Sequence, residues 1–176
     1  MKLNGEKKSG NQAIAAVNYV INKQNKKGVW AYSIDIDSGQ KRMQIDFHQG
    51  YVLESIFNIM NYVDNKNQKW ENSIKIGLEY YRKNQFYDTG KSLWRIPKEY
   101  PVEIHNQAQG IITFNRLIDY CTDRSNFANT IANWTIDNMQ DKNGYFYYQL
   151  FRTHTNKISY MRWNQAWMFL ALTNII

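Results

Sequence analysis

Between Asn11 and Lys23 the apolar residues Ala13, Ala16, Val17, Val20 and Ile21 return every three or four positions, which predicts an amphipathic helix. Gly28 follows it and opens a turn. Trp30 to Ile34 reads as a short extended piece and Asp35 to Lys41 as polar loop. A second helix is predicted from near Asp46 to Tyr62, with Val52, Leu53, Ile56, Phe57 and Met60 apolar, and a third from near Trp70 to Asn84. The linker Phe86 to Val102 holds both prolines. Pro101 ahead of Glu103 suits a fourth helix start, because proline lacks a donor that a first turn leaves unpaired. That helix runs through Ile111, Phe114 and Leu117 toward Tyr120. Phe127 to Met139 is the fifth, Asp141 to Gly144 is a turn, Tyr145 to Tyr148 is a small strand or a cleft wall, and a sixth helix starts near Arg162. Residues 1–10 are expected to be a disordered tail and 11–176 a single domain.

The polar positions fall into a threefold pattern. Asp46-Phe47-His48-Gln49-Gly50, Glu103-Ile104-His105-Asn106-Gln107-Ala108 and Met161-Arg162-Trp163-Asn164-Gln165-Ala166 each stand at the start of an apolar run, with His48, His105 and Trp163 as matched positions. Gln24, Gly28 and Trp30 recur as Gln140, Gly144 and Phe146, while the middle copy keeps Gln85 before its spacing drifts. Three helical hairpins result, and matched polar clusters imply one shared cleft. The fold class expected is all-α, a partial α/α toroid of about three hairpins.

Composition narrows the partners. Lys and Arg number 22 against 15 Asp and Glu, giving +7 and a pI near 9.4, which favours anionic ligands. The basic residues are scattered, with short clusters at Lys7-Lys8 and Lys26-Lys27, and no nucleic-acid motif is present. Aromatics make up 15% of the chain; they serve core filling and also stack on sugar faces. One cysteine, Cys121, excludes an internal disulfide and a multi-cysteine metal site, and the three histidines lack metal-motif spacing, so neither metal nor cofactor is expected. No apolar span near membrane length and no signal peptide are visible, so a cytoplasmic protein without membrane insertion is expected.

Tyr19-Val20, Gln24, Gly28 and Trp30 match the Gln-Trp repeat spacing of terpenoid cyclases. Asp46 to Gly50, Val102 to His105 and Tyr160 to Trp167 more closely resemble the C-terminal half of a poorly characterised, six-hairpin glycosidase-like toroid family linked to bacterial and archaeal surface-polysaccharide loci. The resemblance covers most of the chain after about residue 11 but supplies three hairpins where a complete toroid has about six. It implies a carbohydrate partner, and either a missing N-terminal half or a homo-oligomer that completes the ring. Terpene cyclisation wants an aspartate-rich motif for which Asp35-Ile36-Asp37 is a poor substitute.

Asp46, Glu103, His48, His105 and Arg162 are the catalytic candidates. Neighbouring helix axes lie about 8–10 Å apart, and an inverting glycosidase separates its two carboxyl groups by about 6.5–9.5 Å. The histidines can instead abstract a proton beside a sugar carboxylate held by Arg162, as in uronate epimerases and polysaccharide lyases. Trp30, Tyr32, Trp94, Tyr148, Trp163, Gln107 and Gln165 are the substrate-binding candidates. A plainer reading stands beside each. An acid in a first helical turn stabilises the dipole by about 0.3–1 kcal/mol with no catalytic role, and the half toroid can serve as a non-catalytic glycan-binding or scaffold module.

Overall fold

A computed structural model of the chain describes residues 7–63, 67–121 and 126–175. Its helices are α1 (Lys7–Lys23), α2 (His48–Tyr62), α3 (Gln68–Gln85), α4 (Ile104–Arg116), α5 (Phe127–Met139) and α6 (Ala166–Thr173), with a π-helical turn at Met161–Gln165 leading into α6. α1 begins at Lys7, inside the stretch expected to be a tail; residues 1–6 lie outside the described residues. α3 and α5 start on asparagine caps: Asn67 accepts from Lys69 N and Asn126 from Asn129 N, satisfying donors that a first turn leaves open.

The all-α expectation holds only coarsely, because two small antiparallel sheets accompany the helices. β1 (Ala31–Ile34) pairs with β2 (Lys41–Met43), and β3 (Val102–Glu103), β4 (Gln149–Leu150) and β5 (Thr155–Asn156) lie in that order. Irregular loops of this length need partners for their amides, and they find them by pairing ahead of α2 and ahead of α6. The strand anticipated at Tyr145 to Tyr148 forms instead at β4, where Gln149 pairs with Glu103 and fixes the approach to α4.

α2 packs on α1, α3 and α4, and α4 packs on α2, α5 and α6. The even-numbered helices therefore form an inner row, with the odd-numbered ones against its outer side. Leu53, Trp70, Ile74, Ile111, Ile131 and Met168 fill the space between the rows and are fully inaccessible; each aliphatic side chain so buried stabilises the fold by about 1.5–3 kcal/mol. Trp70 also donates from Nε1 to Asn18 Oδ1 at 2.9 Å, tying α3 to α1.

Two registers order the repeats. The inner one has a constant step of 58 residues, marked by Gln49, Gln107 and Gln165. Gln49 donates to the Gly28 and Gly77 carbonyls, and Gln107 donates to the Gly90 carbonyl and Thr135 while accepting from Ser92 N. Gln165 pairs both ends of its amide with the Phe146 backbone. These amides pin each inner helix start to a tight turn. The turns have one hydrogen-bond pattern at Asn25–Val29, Tyr87–Lys91 and Asp141–Tyr145, closed by Gly28, Gly90 and Gly144 at φ of 93°, 90° and 95°.

The turn register does not keep a step of 58. The middle turn lies four residues late, about one helical turn. Gln85 therefore falls one position before the residue, Phe86, that matches Gln24 and Gln140. That displacement is the source of the spacing drift seen in the sequence.

Candidate functional site

With the glutamines as anchors, the matched residues at the head of the inner row are Phe47, His105 and Trp163, not His48, His105 and Trp163. Their rings form a ladder across the three inner helices. Phe47 stacks on His105 with centroids 4.3 Å apart, and His105 lies 4.3 Å from Trp163. Asp46 and Glu103 are consequently one position out of step with each other, and Asp46 matches Ile104 and Arg162.

His105 is the inner rung and is 1% exposed. Burial, with the charge of His48 second, holds its imidazole down at about 4. Burial also pushes the Tyr51 phenol up to about 12, so a protonated Tyr51 shares a hydrogen bond with Nε2 of a neutral His105. Among the described residues Nδ1 has no hydrogen-bond partner. His105 is thus closed off from a ligand and acts as packing. An NMR titration is expected to find this imidazole neutral down to about pH 4. Between about 4 and 6.5 the unfolded chain binds the extra proton, so stability rises with pH through this window and is lost as pH falls. Relative to His105→Phe, the native protein should lose about 2–3 kcal/mol between pH 7 and pH 4.5 in denaturant unfolding.

Asp46 stands just ahead of α2. Its Oδ1 accepts from His48 N at 3.3 Å and lies 2.5 Å from His48 Nδ1, and its Oδ2 is 4.0 Å from Arg95 Nε. Phe47 packs on the other side of the His48 ring at 4.4 Å, and Tyr32 meets its edge at 5.0 Å. The carboxylate fixes ring orientation and tautomer, leaving Nε2 directed away from it; among the described residues Nε2 makes no hydrogen bond. Asp46, His48, Tyr32, Arg42, Gln44 and Arg95 line an open cleft of about 560 Å³.

Glu103 precedes α4 but does not cap it. Its Oε1 accepts from Trp163 Nε1 at 3.0 Å, Trp94 presents its indole N–H nearby, and Tyr148, edge-on to Tyr160 at 5.2 Å, completes an aromatic cup. Burial raises this carboxyl above the ordinary range, while the Trp163 and Trp94 donors and the charge of Arg95 oppose the rise. Arg95 stacks over Trp94 at 4.7 Å and so stands between the two acids.

The remaining sequence candidates divide cleanly. Tyr32, Trp94, Tyr148 and Trp163 adjoin the acids. Trp30 is buried, donating from Nε1 to the Val20 carbonyl at 2.9 Å, so it is core rather than a sugar platform. Gln107 and Gln165 spend their amides on the turns and are framework. Arg162 is exposed, and the cation beside Asp46 is Arg95. Arg95 and Arg42 escaped the sequence reading because Arg95 sits in a loop and Arg42 in the three-residue strand β2, neither long enough to show periodicity; Trp94 next to Arg95 was the available signal.

Among the described residues, no group of three or more His, Cys, Asp or Glu side chains is placed to hold a metal ion, and no helix is long and apolar enough to cross a membrane. Comparisons of the chain with protein-family models, curated proteins and solved structures found no match.

Proposed function

We propose that this chain is a carbohydrate-active protein using glycosidase-like acid/base chemistry at the head of its inner helices, in a partial α/α toroid. The observation carrying this reading is the unequal environment of two carboxyl groups. Asp46 is paired with His48 and Arg95, whereas Glu103 is buried, and that burial favours its protonated form against the opposing pull of the Trp163 N–H. Glu103 is then the acid that protonates a leaving oxygen. Asp46, directly or through His48, is the base that activates water. Tyr32 and Trp94 offer faces for sugar rings.

A second reading draws on Arg42 and Arg95. Two guanidinium groups beside the Asp46–His48 pair suit an anionic sugar, and His48 then abstracts a proton next to the sugar carboxylate, giving epimerisation or elimination. A panel of neutral and uronate oligosaccharides separates the readings. New reducing ends mean hydrolysis, an unsaturated product absorbing in the ultraviolet means elimination, and an altered proton spectrum without cleavage means epimerisation. Asp46→Asn is expected to abolish each. Binding without turnover, unaffected by Asp46→Asn, would instead assign a glycan-binding module.

A further inference from the structure

The third repeat leaves open what the first two cover. At the step of 58 residues, Phe169 and Leu170 of α6 match Leu53 and Glu54 of α2 and Ile111 and Ile112 of α4. Leu53 and Ile111 are fully inaccessible, Ile112 is buried, and the Glu54 side chain keeps 12% of its surface. Phe169 exposes 74% and Leu170 42%. The turn glycines differ in the same way. A Cβ on Gly28 would lie 2.4 Å from the Ile76 carbonyl oxygen of α3, and one on Gly90 would lie 2.5 Å from the Thr130 oxygen of α5. One on Gly144 would meet nothing within 4 Å. The first and second turns thus each support the next outer helix, and the third supports none of the described residues.

The opposite edge shows the reciprocal mismatch. Ser55 of α2 is exposed, while its matches Thr113 and Ala171 are fully buried between inner helices. Beside it Val52 and Ile59, with Ala16, Val17 and Val20 of α1, line an apolar groove of about 560 Å³. In the turn register, the residues of α1 that match Ile76-Gly77 and Thr130-Ile131 are Ile14-Ala15, and Ala15 is exposed. The chain therefore carries both halves of its own inter-repeat contact, on opposite edges.

We infer that two copies of this chain associate head to tail. The α5–α6 edge of one seats the α1–α2 edge of the next, with α1 over Gly144 as α3 lies over Gly28 and α5 over Gly90. Phe169 and Leu170 enter the groove lined by Val17, Val20, Val52 and Ile59. The contact continues the internal interface between repeats, and apolar surface meets apolar surface on both sides. It is heterologous, so each copy uses two different patches.

That asymmetry gives the test. Light scattering on the purified chain is expected to give at least twice the 21.0 kDa protomer mass. Phe169→Asp and Ser55→Arg each alter one edge at an exposed position, so both should retain the native circular dichroism and run as monomers. An equimolar mixture should recover the doubled mass, because each variant still offers the edge that the other needs. A native chain that is monomeric at every concentration overturns the inference, since another segment or another protein then covers these edges. So does an assembly that survives either substitution, or a mixture that stays monomeric.

Discussion

Glu103→Gln is expected to lower turnover of the responsive oligosaccharide by about 10²–10⁴-fold, the usual contribution of a positioned acid, while leaving the melting temperature unchanged or raised. Gln keeps the oxygen that accepts from Trp163 Nε1 and removes the ionisable proton. It also removes the cost of carrying a charge in a buried aromatic cup near neutral pH, where the folded chain holds this carboxyl above its ordinary range. By linkage, a raised carboxyl contributes stability that is fully present below its unfolded value and is lost as pH rises from there through the folded value. Reduced turnover without reduced stability is what separates an acid from a packing residue. Full activity in Glu103→Gln would assign the carboxyl to structure and sink the hydrolase reading.

Alanine at Gly28 or Gly90 should cost about 2–5 kcal/mol, and alanine at Gly144 about 1–2 kcal/mol. All three glycines hold positive φ, which costs an L side chain about 1–2 kcal/mol. Only the first two meet a backbone carbonyl at sub-van-der-Waals distance, which adds about 1–3 kcal/mol because a main-chain oxygen cannot rotate aside. In thermal unfolding the larger class should lose roughly 10 °C and the smaller a few degrees. The Phe169→Asp background keeps self-association out of the comparison. Equal losses at all three positions would mean that conformational strain alone sets the cost and that the outer helices yield.

The helices were legible because their apolar faces repeat at 3.6-residue spacing. The threefold repeat was legible through the polar clusters, but its inner frame slipped by one residue. Phe47 and His48 are both rings, and a histidine-to-histidine match is more conspicuous than a phenylalanine-to-histidine one. The glutamines at 49, 107 and 165 held the right frame throughout. Asp46–His48 could be read because its partners are two residues apart. The cup around Glu103 could not, because Trp94, Tyr148 and Trp163 come from three separate segments whose meeting depends on β3 pairing with β4. Of the small sheets only β1 was legible, as the extended piece at Trp30 to Ile34; the pairing of the strands was not, because segments of two to four residues leave no alternation to detect.

The four-residue displacement of the middle turn is absorbed before α4 begins: inner helix starts on both sides of it keep their step of 58. The outer helices and the loops above them act as a length reservoir, and the head of the inner row is insulated from changes made there. A loop exchanged for one of different length should leave the ring ladder in place if the adjoining outer helix gains or loses a whole turn in compensation. The walls of the cleft can then be altered independently of the two acids they enclose.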